Sequence, residues 1–227
     1  MKSLSEKNRK IITILLYLFS LVLVVLIFKG ITAPIEFNKV KNERYQKVID
    51  RLKDIRNAQI AYKSVNGIYS DNFDSLVKFI DSAQFTIIQK RDSSYMQYDR
   101  VYRIDMLREV VVIDTLGFVS VKDSLFKNDN RYKMMAYYPI KGIQDSTFTI
   151  KADMKKEGNF PIPVFEVRAR KSLIFQDLVT KVMENLKQAE YNLQSVDGVN
   201  GPDIVLGDFE KGGESGNWPT TFDVNRK

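Results

Sequence analysis

Residues Ile11–Phe28 read IITILLYLFSLVLVVLIF, and this uncharged run continues through Lys29-Gly30 and Ala33-Pro34 into the charged segment Ile35–Val65. At 1.5 Å rise per residue, Ile11–Phe28 spans roughly 27 Å as a helix, close to the hydrocarbon thickness of a bilayer. Gly30 to Ala33 add slack. A buried core helix would show a polar face, and here only Thr13, Tyr17 and Ser20 are polar. A signal peptide would have a shorter apolar region and a small-x-small cleavage site. Ala33 fits its last position, but Ile31 precedes it by two and Pro34 follows. The run therefore predicts an uncleaved anchor, with a short hinge at Ala33-Pro34.

Beyond the hinge, Tyr45, Val48, Leu52, Ile55 and Tyr62 recur at three- and four-residue spacing, with Ala58 and Gln59 between them. That is one stripe of an amphipathic helix. Two coverings compete for it: the chain's own head, or the same face of other subunits. Asn66-Gly67 ends the helix, Gly67 suiting the left-handed C-cap position. The chain then divides into a cytoplasmic tail (1–10), a transmembrane anchor (11–33), a helical stalk (34–66) and an extracytoplasmic head (67–227). Lys2, Lys7, Arg9 and Lys10, against Glu6, keep the short tail in the cytoplasm. Lys29, Lys39 and Lys41 on the far side make that asymmetry small.

Composition narrows the chemistry. The 227 residues carry 35 Lys and Arg against 28 Asp and Glu, a formal charge of +7. Both signs are mixed along the chain, so no nucleic-acid surface is indicated. Cysteine and histidine are both absent. Disulfides, thiolate or histidine metal sites and Ser-His-Asp triads are thereby excluded. No Gly-rich phosphate loop occurs, and no catalytic or cofactor-binding residue is assigned.

In the head, Asn72 or Asp71 caps a short helix over Phe73–Asp81 with Phe73, Leu76, Val77 and Ile80 on its apolar face. Ala83–Lys90 reads as a strand or a helix tail, and Ser93–Tyr102 as a loop. Arg108–Val121 reads as two β-branched runs turning at Asp114-Thr115-Leu116-Gly117. Alternation at Tyr132, Met134, Ala136 and Tyr138 predicts a strand over Arg131–Pro139. Phe148–Ala152 and Val164–Ala169 follow as strands, with Pro161 and Pro163 barring a central position at that end. Leu173–Leu193 reads as a second long helix. The fold class is α+β: a transmembrane helix continuous with a long amphipathic helix, packed on a mostly antiparallel sheet of four to six strands.

The layout from Ile11 to Ile80, with its aromatic, Asn66-Gly67 turn, Tyr69 and polar loop into a helix start, resembles type IV pilins and type II secretion pseudopilins. The tail Gly212-Gly213-Glu214-Ser215-Gly216-Asn217-Trp218 is similar to the Gly-rich Asn-Trp loop of major pseudopilins. The resemblance implies a non-enzymatic structural subunit of an envelope-spanning secretion or filament machine. Its place would be a bacterial inner membrane, with the head in the periplasm. Partners would be the bilayer and, through the 45–62 helix face, copies of itself or other machine subunits. A monomeric anchored periplasmic adaptor is the alternative. The resemblance also implies calcium, with Asp197, Asp203, Asp208, Glu210 and Glu214 as hard oxygen donors. A plain Gly-rich surface loop, with Trp218 as a hydrophobic clasp, is the competing reading. The chain departs from the family pattern in two places: no Gly precedes Ile11, and no Glu lies within Ile11–Phe28.

Overall fold

The structure, a computed structural model, describes residues 6–223 except 128, 144 and 159; Lys2 and residues 224–227 lie outside it. It is α+β. Helix α1 (Glu6–Asn66) is unbroken over 61 residues, about 90 Å at 1.5 Å per residue. The expected hinge is not there. Pro34 sits inside the helix, where its ring removes one ladder hydrogen bond and crowds the carbonyl four residues back. That residue is Gly30, and the helix runs on through the position without a break.

The two ends of α1 differ completely. Arg9 to Ile31 are all exposed. From Phe37 onward, Tyr45, Val48, Ile49, Leu52, Ile55, Ala58 and Ala61 are buried in the core. They pack against α2 (Phe73–Ser82), α3 (Val121–Phe126), α5 (Lys181–Tyr191) and β5 (Asp203–Gly207). Of the two coverings open to this stripe, the chain's own head takes it up. Gly67 closes α1 at φ 76°, its N–H donating to the Lys63 carbonyl over 2.8 Å. Asn72 caps α2 by accepting the Asp74 N–H.

Among the described residues, five strands form two antiparallel sheets. The head sheet orders β3 (Thr149–Glu157), β4 (Phe160–Arg170) and β5 with β4 central. β4 begins four residues earlier than the expected strand and includes both prolines. They are tolerated because β5 covers only Glu166–Arg170, so Pro161 and Pro163 lie where β4 has β3 as its one neighbour. Phe165, Val167, Ala169, Ile204 and Leu206 turn into the core.

The other sheet is a two-stranded ribbon, β1 (Gln84–Asp99) with β2 (Ile104–Ser120). Ser93–Asp99 is strand, not loop. Asp114–Gly117 is a bulge, not a turn: Ile87 faces Gly117 and Ile88 faces Thr115, leaving Leu116 unpaired. The turn lies at the far end, where Asp99 Oδ1 accepts the N–H groups of Val101 and Tyr102.

Two further expectations fail for identifiable reasons. Arg131–Met134 is a 3-10 turn rather than a strand. Its buried residues are Tyr132, Met135 and Tyr138, a spacing of three that the sequence also offers as alternation. The expected helix over Leu173–Leu193 is two short helices, α4 (Lys171–Ile174) and α5. Between them the chain turns, the Gln176 and Leu178 N–H groups donating to the Leu173 and Phe175 carbonyls, and Arg44 holds this turn by donating to the Ile174 carbonyl at 2.6 Å and gripping Asp177 with both terminal nitrogens.

Candidate interaction surfaces

Three surfaces carry the chemistry that bears on function. The first is the exposed end of α1. Among the described residues it is the one helix long and apolar enough to cross a membrane, and it lies near the N-terminus.

The second is the β1–β2 ribbon. Its sixteen-residue first strand reaches roughly 50 Å at 3.3 Å per residue. Its contacts with the body are confined to the base, where Val121 N–H donates to the Ala83 carbonyl and Phe85 packs on the core. Every residue from Thr86 to Tyr98 and from Ile104 to Val111 is exposed. Its strands differ in character. β1 carries Lys90, Arg91 and Asp92 at mid-length, whereas β2 reads Val110-Val111-Val112-Ile113 without interruption. An unbroken apolar run marks a strand suited to burial on both faces. Ion pairs tie the ribbon across its width, Arg91 to Asp114 at 3.2 Å and Arg108 to Asp99 at 3.8 Å. The sequence signal for this element was the Val110–Ile113 run, which a hairpin turning at Asp114 explained away.

The third is the C-terminal tail with its acidic residues. The structure does not bring the five candidate calcium ligands together. Asp197 is exposed beside Ser195. Asp203 faces Arg168 at 3.7 Å. Asp208 closes its own loop by accepting the Glu210 and Lys211 N–H groups, which hold its carboxyl below the usual range. Glu210 pairs with Lys155 at 2.7 Å. Glu214 accepts from the Tyr69 hydroxyl and from Lys63, contacts that lower its pKa. Four of the five are thus engaged by protein donors or cations. No group of three or more His, Asp or Glu side chains placed to hold a metal occurs among the described residues. Trp218 is 8% exposed and belongs to the core, its Nε1 donating to Asp223. A Cβ on Gly216 would run into the Trp218 ring, so glycine there is what lets the tail lie flat.

A buried network that the sequence did not reveal fastens the stalk to this tail. Lys171 is fully buried and donates to the Val199 carbonyl at 2.7 Å, the Glu190 carbonyl at 2.9 Å and Glu190 Oε1 at 3.3 Å. Glu190 also accepts from the Tyr45 hydroxyl and from Lys41, each at 3.0 Å. Burial lowers the Lys171 pKa against the opposing pull of Glu190. Burial also raises Tyr45 beyond its ordinary value. Every partner is satisfied, which suits a structural clamp. The partners come from distant segments, so no spacing rule exposes them.

An open groove of about 630 Å³ runs along the outer face of α1 between Glu43, Lys47, Asp50, Asp197 and Phe222. Its charges are neutralised locally, Glu43 by Lys47 at 2.7 Å.

No family model, curated protein or solved structure matches this chain.

Proposed function

We propose that this chain is a membrane-anchored, non-enzymatic structural subunit of an envelope-spanning secretion or filament machine, pseudopilin-like in its layout. It sits in a bacterial inner membrane with its N-terminus cytoplasmic and its head periplasmic. One observation carries the reading: a single helix is wholly exposed and apolar over its first part and sealed into a folded head over its second. Left bare in water, such a surface is strongly disfavoured, since each buried apolar square ångström is worth about 25 cal/mol. A bilayer covers it, and the rigid continuation fixes the head's height above the lipid.

The alternative, a monomeric anchored adaptor, is favoured by a specific observation. The Tyr45–Ala61 stripe is already buried within one chain, so lateral packing by that face is not open to it.

The experiment is fractionation of native membranes with intact mass and N-terminal sequencing of the recovered chain. The expected result is a chain that stays with the membrane after alkaline carbonate washing and whose head is digested by protease only once the periplasm is opened. A chain released by carbonate, or cleaved after Ala33, overturns the anchor. Homotypic cross-links mark the filament or assembly reading, and cross-links solely to other proteins mark the adaptor.

A further inference from the structure

We propose that the ribbon pairs with the ribbon of a second copy of this chain, edge to edge through β2, with Val111 on the two-fold axis. The pairing goes beyond the anchored-subunit reading and stands without it.

Each strand of an isolated ribbon leaves a row of N–H and C=O groups unpaired along its outer edge. The β1 edge is defended by Lys90, Arg91 and Asp92, residues that oppose further pairing. The β2 edge has no lysine, and its centre is the uncharged run Val110–Ile113. Val111 and Ile113 of this run are each 57% exposed.

The register follows from two constraints. In an antiparallel pair, facing residues must both direct their backbone groups toward the shared edge, and this direction alternates along a strand. When a strand pairs with its own copy, facing residue numbers must therefore share parity, so the two-fold axis passes through a residue and not between two. Charge then chooses the residue. An axis on Leu107 opposes Asp105 to Glu109. Axes on Arg108, Glu109 or Asp114 set each of those charges against itself. Axes on Val110, Val112 or Ile113 oppose no charges within β2. Only the axis on Val111 brings opposite charges together, setting Arg108 against Asp114 of the second copy, twice by symmetry. It also centres Val110-Val111-Val112 on itself, as an isologous contact requires.

The existing ion pairs extend this complementarity. Arg91 already reaches Asp114, and Arg108 already reaches Asp99. Across the new edge these become a row of alternating sign: Arg91, Asp114, then Arg108 and Asp99 of the second copy. The result is a four-stranded sheet whose two outer edges are the charged β1 strands, so the pairing closes at two copies.

The chain contains no cysteine, which makes single-cysteine tests clean. Full-length chain in proteoliposomes carrying V111C is oxidised and run without reductant. The expected result is a disulfide-linked homodimer from V111C and none from L107C, whose two copies would lie about 27 Å apart at 3.3 Å per residue. Absence of a V111C dimer, or equal cross-linking by L107C, overturns the proposal. In the V111C background, R108E places like charges across the axis, as does D114K, and each is expected to lose the dimer. Mixing the two differently tagged variants makes both facing pairs complementary and is expected to restore a heterodimer. Failure of the mixture to cross-link, or undiminished dimer in either variant alone, overturns the register. Leu107, Arg108 and Val111 are exposed and Asp114 is half-buried, and circular dichroism checks that each variant folds. Carbonate extraction of the same samples reads the anchor separately, so failure of one proposal is distinguishable from failure of the other.

Discussion

The two sheets are both antiparallel and both rich in β-branched residues, yet they meet solvent in opposite ways. In the head sheet Phe165, Val167 and Ala169 of β4 and Ile204 and Leu206 of β5 turn into the core, and polar side chains such as Glu166 and Arg168 lie on the other face. In the ribbon the same residue types lie on both faces and both faces are wet. The comparison teaches that a strand's apolar pattern states how many of its faces suit burial, not how many the single chain buries. Where pattern and burial agree, the strand holds the fold. Where they disagree, the surplus is a surface for something else.

The contrast breaks most sharply at Val167, which is fully buried. V167D puts an unpaired charge in the head core and should cost about 4 kcal/mol or more, unfolding the head in a urea titration followed by circular dichroism. The exposed counterpart V111D should leave the same unfolding curve in place. Next in size is the clamp. E190A leaves Lys171 buried without its carboxylate and should lower stability by about 3–5 kcal/mol. The urea midpoint would show it, and an unchanged midpoint would mean that the Lys171 site opens to water.

Acid should act more gently. The carboxyls of Asp177 and Glu214 lie below their ordinary values because Arg44 and Tyr69, respectively, donate to them. Their folded values being depressed, the unfolded chain takes up protons first as pH falls. Their contribution is therefore present above the usual carboxylate range and is lost as pH drops through the lowered folded values. Both side chains are about half exposed, so each is worth at most about 1 kcal/mol. Thermal midpoints measured from pH 6 down to pH 2 should decline for wild type and less steeply for D177N. The smallest expected effect is the most telling. Replacing residues 86–118 by an Asn-Gly turn removes nearly the whole ribbon and should change head stability by less than about 0.5 kcal/mol. A large loss would mean that the ribbon belongs to the folding unit.

Long, half-buried elements were legible because their pattern and their burial coincide. Helix α1, α2 with its Asn72 cap and the core of β4 are of this kind. The ribbon was legible only in part. Ser93–Asp99 reads as loop in the sequence because a strand with no core behind it need not alternate. The alternation of Tyr132, Met134, Ala136 and Tyr138 points to a strand, whereas the residues buried are Tyr132, Met135 and Tyr138. The break after Ile174 has no local signal, since the Arg44 that holds the turn lies 130 residues earlier. The proposed calcium ligands form a cluster along the chain, but the fold gives four of them separate partners and leaves Asp197 exposed.

The buried clamp has a consequence for how the protein is made. Tyr45 and the stalk stripe appear early in synthesis, while the Phe165, Lys171, Glu190 and Trp218 surfaces that cover them come last. At roughly 5–20 residues per second, the stripe waits on the order of ten to thirty seconds for its cover. During that interval the nascent chain presents the stripe uncovered, and exposed apolar surface of this kind is open to aggregation and proteolysis. Slowing translation after residue 66 should raise its degradation far more than slowing it after residue 218.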